Sequence, residues 1–128
     1  MPRRFLLTLL ISLVCAAAER RHTVFIGRMG GFEAQVKKAF SEKEIDLEII
    51  EEDAHPDLRV LLGKSFTSVW AEIQYRKQTG RREESELQAI DVKTGKEIAS
   101  HRFHMGDEVS RRRAASAFAD LLKRKLPR

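Results

Sequence analysis

The chain has 128 residues, with 24 Lys or Arg against 19 Asp or Glu, and its formal net charge is +5. This length fits one domain, and a mild charge with both signs interspersed is that of an ordinary soluble surface. The single cysteine excludes an intrachain disulfide framework.

The first eighteen residues have the pattern of a secretory signal peptide. Arg3 and Arg4 give a positive start, residues 5–14 are uncharged and mostly apolar, and Ala16 and Ala18 supply an A-x-A cleavage site. A membrane span needs about 20 apolar residues, so this run is too short for a retained anchor. We predict a signal peptide at residues 1–18 and a single α/β domain at residues 19–128.

Export places the mature domain in the periplasm or the medium, which disfavours nucleic acid as a partner. Removing Arg3 and Arg4 leaves 22 basic residues against 19 acidic ones, a net charge of +3. Cys15 has a second interpretation as a lipidated cysteine. However, the bulky Val14 stands where a lipoprotein signal carries a small residue, so we expect Cys15 to leave with the signal.

The first half of the domain predicts two strands and two helices. Residues 22–29 are rich in β-branched and aromatic side chains and predict a strand, which Gly27 ends. Apolar residues recur at helical spacing over residues 32–40 and alternate with acids over residues 45–49, predicting a helix and a second strand. Residues 56–62 open with proline and carry leucines at helical spacing, which predicts a short second helix.

The second half predicts a three-strand meander. Residues 69–75 alternate between apolar and polar side chains and predict the third strand, followed by a hairpin loop at residues 78–82. Residues 86–92 and 97–104 predict the fourth and fifth strands. The tight turn between them requires a positive φ at Gly95.

A final helix closes the domain. Asp107 is its predicted N-cap, and the positively charged Arg112 lies on its predicted solvent face. The residues of its predicted buried stripe are Ala114, Ala115, Phe118, Leu121 and Leu122.

The predicted order is therefore β-α-β-α-β-β-β-α in a single two-layer α/β (α+β) domain. The helical crossover makes the first two strands parallel, and the meander makes the sheet mixed. We expect the helices to pack mainly on one face of the sheet.

Two segments and the closing helix, residues 114–126, resemble a group of bacterial envelope domains. Residues 66–73 are similar to the strand that leads into the meander of these domains, and residues 87–100, with Thr94-Gly95 at the turn, are similar to the hairpin that follows. The group comprises the amino-terminal domain of the Tol system's propeller protein, the periplasmic domain of the curli secretion channel and the lipoprotein activators of penicillin-binding proteins. The resemblance implies a role in envelope assembly or accessory binding.

A glycine-rich segment joins the first strand to the first helix. Free N–H groups at a helix N-terminus can hold an anion, so Arg28, Gly30 and Gly31 are candidate anion contacts. The segment lacks the Lys-Ser/Thr of a phosphate-binding loop and the spacing of a dinucleotide fingerprint. A purely structural turn is the alternative.

The polar residues predict no catalytic residue, metal site or cofactor. His101 and His104 are three apart on a predicted strand and should face opposite sides, with His101 beside Ala99 and Phe103. The acidic runs at residues 51–53 and 83–86 are typical of a solvated surface. No Gly-x-Ser-x-Gly elbow is present, and no cysteine nucleophile remains after export.

Trp70 is the candidate for partner binding. It shares a predicted strand face with Glu72 and Gln74, opposite Val69 and Ile73. If the helices cover only the other face, Trp70 is exposed, and exposed Trp is enriched in binding hot spots. Trp70, Glu72 and Gln74 are therefore candidate partner contacts, unless Trp70 packs under a helix.

Two hypotheses of function follow. The first is an exported, non-enzymatic binding or assembly module of the bacterial cell envelope, whose partner is an envelope protein or an acidic polymer. The basic residues 111–113 and 123–125 suit an acidic polymer, or belong to a solvated helix face. The second is a small anion-binding protein or hydrolase that uses the turn at Gly27–Gly31.

Overall fold

The computed structural model describes residues 21–64, 69–81 and 84–126. The predicted signal peptide and Cys15 lie outside the described residues. The described part forms five strands and three helices. They are β1 His22–Ile26, α1 Phe32–Glu42, β2 Leu47–Ile50, β3 Leu58–Lys64, α2 Val69–Thr79, β4 Ser85–Asp91, β5 Glu97–Phe103 and α3 Glu108–Lys125.

The strands form one mixed sheet in the order β2-β1-β3-β4-β5. β1 pairs in parallel with both β2 and β3, whereas β4 pairs antiparallel with β3 and with β5. The predicted single α/β domain with a mixed sheet and a C-terminal meander is confirmed, as is the parallel pair joined by helix α1.

The assignment of residues 56–79 is wrong, because the predicted second helix and third strand are exchanged. The observed order is β-α-β-β-α-β-β-α. The leucines of residues 58–62 fit helical spacing, but Leu58, Val60 and Leu62 also alternate, and the buried Val60 lies between β1 and β4. Hydrogen bonding on both sides decides for a strand.

Residues 69–75 alternate like a strand and nevertheless belong to helix α2. The charge pattern suits a helix, with Glu72 in the first turn and Arg76 and Lys77 in the last. Gly80, predicted to sit in a hairpin loop, instead ends the helix with a φ of 71°. Its N–H donates to the Arg76 carbonyl at 2.8 Å.

One face of the sheet carries the core. Val24, Val60 and Leu87 are fully buried there, and helices α1 and α3 cover them. A ring contact between Phe32 of α1 and Phe103 of β5 connects the helices to the sheet, and one between Phe40 and Phe118 connects α1 to α3. The expectation that helices pack mainly on one face therefore holds for α1 and α3.

Both local predictions for the C-terminal half are confirmed. Gly95 has a φ of 73°, and the Asp91 carboxylate accepts hydrogen bonds from the N–H groups of Lys93 and Thr94 at 2.9 and 3.2 Å. Asp107 is the N-cap of α3, and its side chain accepts from the Val109 N–H at 3.0 Å.

The predicted stripe of α3 is also confirmed. Phe118 and Leu122 have no exposed surface, Ala114 and Ala115 are buried, and Leu121 is half-buried against the core. The Phe118 ring stacks on Phe40 of α1 with 6.3 Å between ring centroids. This contact holds the two helices together above the sheet.

We expect Phe118→Ala to lower the free energy of unfolding by about 3–5 kcal/mol, because it removes a fully buried ring and leaves a cavity. Arg112→Ala, on the exposed side of the same helix, should change it by no more than about 0.5 kcal/mol. Urea unfolding measures both values. Equal stabilities for the two variants would contradict the packing of α3 on the sheet.

Candidate functional site

The glycine-rich turn after β1 presents backbone N–H groups, and one of the protein's own carboxylates binds them. Gly30 and Gly31 have φ values of 65° and 101°, which favour glycine. The Glu33 carboxylate accepts hydrogen bonds from the N–H groups of Met29 and Gly31 at 2.8 and 2.9 Å. Arg28 is exposed beside them. An external anion at Arg28, Gly30 and Gly31 would have to compete with Glu33 for the Gly31 N–H.

The environment of Glu33 stabilises its charged form. Partial burial raises its pKa, but hydrogen bonds from the backbone N–H groups of Glu33, Met29 and Gly31, with the nearby charge of Lys37, outweigh burial. The pKa of Glu33 is lowered from its ordinary value of 4.5. The carboxylate is therefore a fixed structural anion at the start of α1.

We expect Glu33→Gln to lower the free energy of unfolding at neutral pH, because an amide oxygen accepts weaker hydrogen bonds than a carboxylate. A lowered folded-state pKa means that the contribution of the carboxylate is complete above pH 4.5 and is lost as the pH falls through the folded value. The stability difference from the wild type should therefore shrink in acid.

Urea unfolding of both proteins between neutral and acidic pH measures this difference. Glu48→Gln, which changes an exposed acid on β2, is the control and should follow the wild type across the range. A Glu33→Gln profile parallel to the wild type would show that the turn does not depend on this carboxylate.

The three candidate partner contacts lie on helix α2, so the prediction that they share one strand face is wrong. Trp70 is 70% exposed. Gln74, one turn later, lies on the same side and is half-buried. Glu72 points away from them and is fully buried. A side-chain period of 3.6 instead of 2 separates Glu72 from the other two.

Glu72 packs against the backbone of Gly106, where a β-carbon would clash with its carboxylate. Within the described part of the chain, neither of its oxygens has a hydrogen-bond partner. A buried polar group without a partner costs free energy. Glu72 therefore belongs to the packing of α2 against Gly106 and not to the exposed surface around Trp70.

Exposure singles out Trp70 within the described part of the chain. Only Leu61, Trp70 and Val109 are large hydrophobic residues with substantial exposure there, at 36%, 70% and 51%. Trp70 is also the sole tryptophan of the chain. The alternative that Trp70 packs under a helix is wrong.

The position of His101 agrees with the prediction, whereas that of His104 does not. His101 is half-buried on the face of Ala99 and Phe103, as expected. His104 lies beyond the last strand residue, Phe103, so the alternation no longer applies to it. Both imidazoles line one groove of about 390 Å³. Among the described residues, no three His, Cys, Asp or Glu side chains are grouped to hold a metal.

The acidic run at residues 51–53 is partly ion-paired at the surface. Glu51 lies 3.1 Å from the Lys37 ammonium, and Asp53 lies 2.9 Å from the Arg59 guanidinium. Each carboxylate pairs with a different cation on a different element. This arrangement is that of surface ion pairs.

The structure also joins residues that sequence reasoning did not connect. The Asp57 carboxylate, before β3, accepts a hydrogen bond from the Thr23 N–H at 2.8 Å and lies 3.6 Å from Nδ1 of His22. The Thr23 hydrogen bond, aided by His22 and opposed by partial burial, lowers the pKa of Asp57. No local spacing could have indicated this pair, because it depends on β1 pairing with β3.

No protein-family model matches the chain, and neither does any curated protein. Among solved structures, the chain is similar to "a putative lipoprotein from Caulobacter crescentus". The two share 11% identity with a TM-score of 0.37, and the match covers 79% of this chain and 84% of that one. Overlap at this level carries no argument about function, so the resemblance to envelope domains stays a prediction. Within residues 21–64, 69–81 and 84–126, no helix is long and apolar enough to cross a membrane.

Proposed function

We propose that the protein is an exported, non-enzymatic binding module of the bacterial cell envelope, with Trp70 as the centre of its partner contact. The observation that carries the proposal is the 70% exposure of Trp70 on an otherwise ordinary surface. A Trp is usually highly buried, and a Trp left in water offers a partner a large apolar contact.

The surface around Trp70 suits a protein partner. Gln74 lies one turn along the same side of α2, and the exposed Lys77 follows at the next turn. An aromatic anchor with polar and charged neighbours is the usual composition of a binding hot spot and its rim. An acidic group near Lys77 would complete the match.

The second hypothesis, an anion-binding protein or hydrolase at the Gly27–Gly31 turn, has less support. The Gly31 N–H, which it needs, and the neighbouring Met29 N–H already bind Glu33. This carboxylate neutralises the positive end of α1. A substrate anion at the turn would therefore meet the negative charge of Glu33.

Export is tested by the mass of the protein recovered from the periplasm of a bacterial host. We expect the chain to begin at Glu19, because the apolar run ends at the Ala16-x-Ala18 site. A mass that retains residues 1–18, or that carries a lipid on Cys15, would contradict cleavage at this site.

Partner binding is tested by recovering envelope proteins with the wild type, Trp70→Ala and Val109→Ala. We expect the partner to be lost at least tenfold with Trp70→Ala, since removing a hot-spot side chain costs about 2 kcal/mol or more. Val109→Ala removes another exposed apolar side chain, on α3, and should bind as the wild type does.

Two further readouts separate binding from folding. The urea midpoint of Trp70→Ala should match the wild type, because the side chain packs little in the free protein. Tryptophan emission reports on Trp70 alone, and it should shift to shorter wavelength when the partner is added. Equal recovery with Trp70→Ala, or an unchanged emission in the complex, would contradict the proposal.

A further inference from the structure

A groove with an apolar floor lies at the sheet edge where β1 and β3 begin and β4 ends. We call it the edge groove and define it by its floor: Pro56, Leu58, Val92, Ile98 and Leu126. Its volume is about 490 Å³, within the range of about 300–1,000 Å³ typical of small-molecule sites. It is separate from Trp70, and the inference below does not rest on the proposed function.

The two carboxylates at the rim of the edge groove are already hydrogen-bonded to the backbone. Asp57 accepts from the Thr23 N–H at 2.8 Å. Asp91 accepts from the N–H groups of Lys93 and Thr94 at 2.9 and 3.2 Å. These acids hold the chain around the groove together, and their negative charges do not attract an anionic head group.

The two ammonium groups at the rim, in contrast, are not hydrogen-bonded to the described part of the protein. Lys93, in the β4–β5 turn, and Lys125, at the end of α3, are both exposed and line the groove. Neither ammonium has a hydrogen-bond or ion-pair partner among the described residues. The two lysines are therefore available to bind an anionic group.

The backbone keeps the rim in a defined shape. His55 lines the groove with a φ of 51°, an unusual conformation for a residue other than glycine. The Val92 N–H donates to the Asp57 carbonyl at 3.0 Å, which joins the floor to the loop before β3. Unusual backbone held in place by its surroundings is found at binding sites.

We propose that the edge groove binds an amphipathic monocarboxylate, with its apolar chain on the floor and its carboxylate between Lys93 and Lys125. A carboxylate has two acceptor oxygens, so one head group can accept hydrogen bonds from both ammonium groups.

Calorimetric titration of the full chain with decanoate, below its micelle concentration, tests the ligand class. We expect decanoate to bind at least tenfold more tightly than decanol, which has the same chain without the charge, and decyltrimethylammonium to bind least. Amide shifts in nuclear magnetic resonance spectra should change at Val92, Ile98 and Leu126. Equal affinity for decanoate and decanol, or shifts confined to other residues, would overturn the proposal.

Variants test the roles of the two lysines. Lys93→Gln and Lys125→Gln should each weaken decanoate binding about tenfold and leave decanol binding unchanged, because only the charged contact is lost. Lys96→Gln and Arg124→Gln are matched controls. They remove exposed cations next to the groove that do not line it, and they should bind as the wild type does. Wild-type affinity in Lys93→Gln and Lys125→Gln would overturn the assignment.

Discussion

The pairing of β3 with strands of both directions is the constraint on which the rest of this structure depends. β3 runs parallel to β1 and antiparallel to β4, so it joins the β1–α1–β2 unit to the C-terminal meander. On its buried face, Val60 lies between the two units and completes the floor under α1 and α3. The same pairing seats Asp57 against Thr23 and Val92 and thereby builds the edge groove.

Short-range sequence patterns were enough to predict those elements whose tertiary contacts favour the same structure. The turn around Gly95, the Asp107 cap and the stripe through Phe118 all depend on residues a few positions apart, and all three predictions are confirmed. In each of these three cases, the spacing of the residues fits only one type of local structure.

Residues 56–79 carry spacings that fit both structures, and there the local signal failed. Leu58, Leu61 and Leu62 fit one face of a helix, whereas Leu58, Val60 and Leu62 fit one face of a strand. Only the pairing with β1 and β4 on either side favours the strand. For α2, the strand-like alternation of residues 69–75 was overridden by the Gly80 cap and by the placement of charge along the helix.

The candidate sites also divide into features that short-range patterns could predict and features that depend on distant contacts. Exposure of Trp70 was one of two alternatives in the sequence, and the structure decides between them even though the expected strand is a helix. The pairing of Asp57 with Thr23, and the nearby His22, join residues 34 positions apart, which no motif could indicate. Occupation of the glycine turn by Glu33 involves close neighbours and could have been predicted, since an acid in the first turn of a helix often reaches back to its free N–H groups.

The strand order also has a consequence for how the chain gains its structure. β4 and β5 are joined by a short turn and can pair as soon as both are present, whereas Val24 of β1 must find Leu58 of β3 across the whole first helix and second strand. Contacts between distant segments form slowly, because a long loop must be closed before they can stabilise the fold. We therefore expect the antiparallel strands β4 and β5 to pair first and the parallel strands β1 and β3 to pair last. A newly made chain would then stay open at its N-terminal end for longest.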